Sequence, residues 1–87
     1  MGKYEKLISA LLRGKSDANI EFEQLCQLLR RLGFEERVRG SHHIFRRSGV
    51  EERINLQQDD KKAKAYQVRQ VRAVIVKYGL VGEESDV

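Results

Sequence analysis

Both histidines of the chain stand side by side in Arg39-Gly40-Ser41-His42-His43-Ile44-Phe45-Arg46-Arg47, between clustered arginines. Imidazole exchanges a proton near neutral pH, and guanidinium groups beside it can hold a polyanion. That is the layout of an RNA-cleaving site. Cleavage without a metal needs a base for the 2′-hydroxyl proton, a cation for the charge growing on the phosphorane, and an acid for the leaving 5′-oxygen. His42 can be the base or the acid, and Arg39, Arg46 and Arg47 can supply the cation, depending on strand register. Gly40-Ser41 is a small pair that lets a phosphate approach the backbone closely, and the Ser41 hydroxyl can donate to it.

Strand alternation separates the two histidines. His42 and Ile44 share one face, His43 and Phe45 the other. Phe45 is the larger hydrophobe; if it is the buried one, His43 lies on the helix-covered side near the sheet margin and His42 on the open surface. On residue chemistry alone, two ordinary sheet histidines remain an alternative. A metal site is not expected, because an adjacent His-His pair on a strand sends its rings to opposite faces and Asp59-Asp60 reads as a turn. There is no phosphate-binding glycine loop, and Gly40-Ser41-His42 lacks the strand-to-helix setting of a hydrolase nucleophile elbow. No cofactor is expected.

The elements that must position this run fit in one domain, since 87 residues support one modest core but no second lobe enclosing a deep cleft. An enzyme of this size works on a surface. The net charge of +4 is uneven: residues 1–36 sum to 0, 37–77 to +7 and 78–87 to −3. That bias suits a phosphate backbone or an acidic protein, and a merely solvated basic face is the third option. Lys61, Lys62 and Lys64 can grip phosphates, with Arg69 and Arg72 adding charge. The single cysteine, Cys26, sits among apolar helix residues and reads as a buried hydrophobe. With no apolar run of membrane-spanning length and no signal-peptide pattern, a cytoplasmic location away from membranes is expected.

Tyr4, Leu7, Ile8, Leu11 and Leu12 recur as the stripe of a short amphipathic helix, followed by a linker-like stretch from Gly14 to Asn19. A second helix carries Phe22, Leu25, Cys26, Leu28, Leu29 and Leu32 and stops at Gly33. Three short strands follow, within 34–39, 42–47 and a segment carrying Val50, Ile54 and Leu56 on alternate residues, as an antiparallel meander. After the polar loop 57–65, Val68, Val71, Val74, Ile75 and Tyr78 mark a last helix ending near Gly79, and 81–87 reads as a frayed acidic tail.

With the first helix set aside as an extension over 1–15, the core of 20–80 reads α-β-β-β-α. Four pieces carry a resemblance to the HicA toxins, small bacterial mRNA interferases: Leu32-Gly33-Phe34 ending a leucine-rich helix, Gly40-Ser41-His42, Ile54-Asn55-Leu56, and the run from Lys64 to Arg72. The resemblance implies an α+β fold like the double-stranded-RNA-binding domain, with a three-stranded antiparallel sheet packed on one face by helices. It also implies a toxin-type endoribonuclease that cleaves single-stranded mRNA through His42, and a HicB-like antitoxin as partner. A monomer is expected when the antitoxin is absent. Two other classes stay open: a non-catalytic RNA-binding module with the same fold, and an interaction domain whose basic surface meets an acidic protein. The N-terminal helix and the acidic tail depart from the compact members of the family without touching the motif.

Overall fold

The structure, a computed structural model, describes residues 3–14 and 17–80. The acidic tail expected over 81–87 lies outside the described residues. Helix α1 (Lys3–Arg13) and a short 3-10 turn (Asp17–Asn19) precede helix α2 (Phe22–Arg31), strands β1 (Glu35–Arg39), β2 (His42–Arg46) and β3 (Ile54–Gln57), and helix α3 (Ala65–Tyr78). The strands form one antiparallel sheet in the order β1-β2-β3. This is the α-β-β-β-α arrangement of the double-stranded-RNA-binding fold, with α1 added. Among the described residues, no helix is long and apolar enough to cross a membrane.

One side of the sheet makes the core. Phe22, Leu25, Leu28 and Leu29 of α2, Phe45, Ile54 and Leu56 of the sheet, and Val68, Val71 and Ile75 of α3 are all almost completely buried. Apolar residues at helical spacing on α2 and α3 meet apolar residues at every second position of the strands, so the sheet is covered on one face only. Helix α1 joins this core through Ile8 and Leu11, while Leu12, expected in its apolar stripe, is exposed. Arg31 stacks on the Tyr4 ring at 4.1 Å and holds α1 against α2.

The third strand is shorter than its sequence spacing suggests. Val50 lies in the connection, where its N–H donates to the Arg47 carbonyl at 3.1 Å, and regular pairing begins only at Ile54. This connection is fastened to the end of α3: Glu52 accepts from Lys77 Nζ at 2.8 Å and from the Tyr78 hydroxyl, which also takes the Glu51 N–H at 3.2 Å. Two further ties join distant segments. Phe22 N–H donates to the Lys61 carbonyl and Ala63 N–H to the Ile20 carbonyl, each at 2.8 Å, clamping the starts of α2 and α3 together. Gln67, buried on α3, donates through Nε2 to the Gln57 carbonyl at 3.1 Å and accepts the Lys64 N–H through Oε1 at 3.3 Å, so the last helix is pinned to the end of β3.

Candidate RNA-cleaving site on the open face of the sheet

The register assigns every strand side chain to a face. Arg39, His42 and Gln57 form one cross-strand row, Arg37, Ile44 and Asn55 the next, and Glu35 with Arg46 a third, all on the uncovered side. Val38, His43 and Leu56, and then Glu36, Phe45 and Ile54, form the rows facing the helices. The total burial of Phe45 fixes this assignment, because its neighbours in sequence must point the other way.

His42 begins β2 at a two-residue turn. Arg39 and His42 pair directly across Gly40-Ser41, and Gly40 has φ of +58° while Ser41 does not enter the positive region. Glycine first and an ordinary residue second is the pattern of a type II′ connection, so Gly40 answers to the backbone of the turn. A side chain at Gly40 would meet open space, which leaves its backbone accessible to a ligand. The Ser41 carbonyl accepts the Gln58 N–H at 2.8 Å, which fixes the turn against the residue following β3.

His42 is exposed, and its Nδ1 lies 3.3 Å from Asn55 Oδ1. Around Ile44, a shallow groove is lined by Arg37, Arg39, Arg46, Arg47 and Arg53 together with Glu35, Glu36, Glu51 and Glu52. Among the described residues, none of these five guanidinium groups forms an ion pair. An exposed imidazole thus shares a surface with free, planar hydrogen-bond donors suited to phosphate.

The lysines expected to grip phosphate lie at the same end of the sheet as the Gly40-Ser41 turn, and two of them already face carboxylates. Lys61 is 3.7 Å from Glu21 and Lys64 3.0 Å from Asp59, while Lys62 donates to Asn19 Oδ1 at 3.4 Å. Arg72 differs from its expected role. It is half-buried and holds both Asp17 oxygens, at 2.8 and 3.2 Å, and the Leu11 carbonyl at 3.2 Å, which ties the end of α1 to α3. Arg69 is exposed on the same helix.

His43 has a different setting. It belongs to the central strand, not the margin expected from the sequence, and packs edge-on against Phe22 with centroids 5.0 Å apart. Its Nδ1 donates to Glu36 Oε2 at 2.7 Å, and Glu36 also receives Arg30 through Nε and Nη2, at 2.7 and 3.1 Å. The Arg30 guanidinium, reinforced by His43, holds the Glu36 carboxyl below its ordinary value of 4.5.

Cys26, Glu36 and His43 bring ligand atoms within 4.8 Å of one another, a convergence that the His-His pattern concealed because two of the residues come from other elements. The trio is occupied in another way: both Glu36 oxygens are engaged by Arg30, and burial pushes the Cys26 thiol up to about 12. It also lies across the sheet from His42. The sequence left Glu36, Asn55 and Gln67 unassigned, although Asn55 between the buried Ile54 and Leu56 had to face outward by alternation.

A three-stranded antiparallel sheet covered by helices on one face defines the fold of the double-stranded-RNA-binding type, here with a histidine and several arginines on its open face. The profile of the HicA toxin of bacterial toxin–antitoxin systems matches residues 22–78, from the first residue of α2 to the last of α3, and the chain belongs to that family. Neither the curated proteins nor the solved structures give a significant match.

Proposed function

We propose that the chain is an endoribonuclease toxin that cleaves single-stranded mRNA without a metal and is neutralised by a HicB-like antitoxin. The observation that carries this reading is the exposed His42 imidazole on the sheet face that bears Arg37, Arg39 and Arg46, which among the described residues form no ion pair. An RNA strand lying across the open sheet would meet Arg39, Arg46 and Arg47 along its phosphates, the Gly40-Ser41 turn at the scissile phosphate, and His42 at the reacting oxygens. Lys61, Lys62 and Lys64 would extend the track beyond the turn. An open sheet suits a single strand, whose bases can spread on a surface that a closed cleft would not offer. A toxin of this design is silenced by covering the same face, so an antitoxin surface bearing carboxylates opposite the arginines is the expected inhibitor.

Product chemistry provides the test. Proton transfer by a histidine and attack by the neighbouring 2′-hydroxyl leave a 2′,3′-cyclic phosphate or its opened product, and strong chelation leaves the rate unchanged. Ends bearing a 3′-hydroxyl, or activity lost to chelator and restored by a divalent metal, would contradict the mechanism. Binding without cleavage would identify an RNA-binding module.

A further inference from the structure

We infer that Asn55 is a positioning residue for His42, holding the imidazole as its Nδ1–H tautomer with the Nε2 lone pair turned outward, so that His42 acts as the general base. The inference rests on the RNA-cleavage reading of His42 and specifies which proton it moves.

Asn55 stands opposite Ile44 on β3, one pair along from Gln57, the direct partner of His42, so the contact is a diagonal one within the sheet. The 3.3 Å approach is between Nδ1 and the amide oxygen. An amide oxygen only accepts, so the ring nitrogen must carry the proton. In the neutral ring the other nitrogen, the one farther from the backbone, is then bare. A base needs that lone pair. Ile54 and Leu56, both fully buried, anchor the strand on either side of Asn55 and give the amide a rigid base.

The charges around His42 explain why a neutral partner suits it. Arg39 faces it directly from β1 and Arg37 lies one row along, while β3 offers Gln57 and Asn55. On its own strand the next charged side chain on this face is Arg46, opposite Glu35 at the far end of the sheet. Of the acidic pair after β3, Asp59 faces Lys64. Asn55 therefore orients the ring through a neutral amide and adds no charge beside these arginines. In the step itself the 2′-hydroxyl proton passes to Nε2, the P–O2′ bond forms as the P–O5′ bond breaks, and the 5′-oxygen leaves with a proton from water; the imidazolium then returns its proton to the hydroxide.

The test uses the full chain. Long-range proton–nitrogen NMR of the free protein should find His42 with Nδ1 protonated and Nε2 bare, and Asn55→Ala should move it toward the Nε2–H form. In cleavage of one RNA, Asn55→Ala should lower kcat roughly tenfold or more, with KM changed less than about twofold. Asn55→Asp should recover orientation but raise the acid limb of the pH–rate profile by about one pH unit. Thermal unfolding of each variant separates these effects from misfolding, since Asn55 is exposed. An Nε2–H tautomer in the native chain, or an Asn55→Ala chain with unaltered kcat, would overturn the assignment. An Nδ1–H tautomer in a chain that cuts no RNA would instead overturn the cleavage reading, and the base role with it.

Discussion

The two faces of one three-stranded sheet treat adjacent histidines in opposite ways. His43, on the covered face, packs against Phe22 and completes a hydrogen-bonded chain through Glu36 to Arg30 and on to Glu23, which Arg30 Nη1 reaches at 3.1 Å. His42, on the open face, is exposed and, among the described residues, makes one side-chain hydrogen bond, with Asn55. Satisfied polar groups under a sheet fix one arrangement, whereas a surface that must receive a ligand leaves its donors free. The arginines divide along the same line: Arg30 and Arg72 are held by carboxylates, while among the described residues Arg37, Arg39 and Arg46 form no ion pair.

Substitutions on the covered face should act on stability, and those on the open face on RNA. The largest stability effect belongs to Phe45→Ala, which empties a fully buried site and should cost about 3–5 kcal/mol, against less than about 1.5 for Ile44→Val one residue earlier, as read by chemical denaturation. Equal losses would mean that Ile44 shares the core.

A smaller effect is expected from His43→Ala, about 1–3 kcal/mol, with cleavage per folded molecule retained. Loss of activity in a well-folded His43→Ala chain would break the division between the faces. The same network should make the fold sensitive to acid. The Glu36 carboxyl is held below 4.5 in the folded chain, so its contribution is fully present above that value and is lost as pH falls through its depressed range. Glu52, held down to about 2 by Lys77 and then by Tyr78, follows the same sign at lower pH. Melting curves between neutral pH and pH 3 should therefore fall less for Glu36→Gln than for the native chain.

The smallest effect on stability, within about 0.5 kcal/mol, is expected when Arg37, Arg39 and Arg46 are all replaced by glutamine. The change should appear in RNA binding, where the slope of log affinity against log salt loses about 2 units if each arginine contacts one phosphate of a single strand. Replacing Lys61, Lys62 and Lys64 should flatten the slope less, because Lys61 and Lys64 already face Glu21 and Asp59. A larger change from the lysines would move the RNA path toward α3.

The sequence carried the periodic features of this molecule. Alternation within 42–47 is enough to place His42 outward once Phe45 is recognised as the buried residue, and the leucine spacing before Gly33 outlines α2. Val50 misled because even spacing from Ile54 imitates a strand, whereas the turn at Arg47 and the fastening of Glu51 and Glu52 to Tyr78 hold that stretch out of the sheet. Arg72 with Asp17, and Lys61 with Phe22, have no local signature, since their partners are brought together only when the helices pack. Asn55 was legible as an outward residue but not as the neighbour of His42, because a diagonal contact depends on a register that sequence alone does not set.

The central claim concerns one side chain. Cleavage of a single defined RNA by the native chain and by His42→Ala should be compared at equal folded concentration, in the presence of chelator. His42→Ala should unfold at nearly the native temperature and bind RNA with a similar salt dependence, while its cleavage rate falls at least about a hundredfold. A folded His42→Ala chain that cuts the RNA at the native rate would contradict the account.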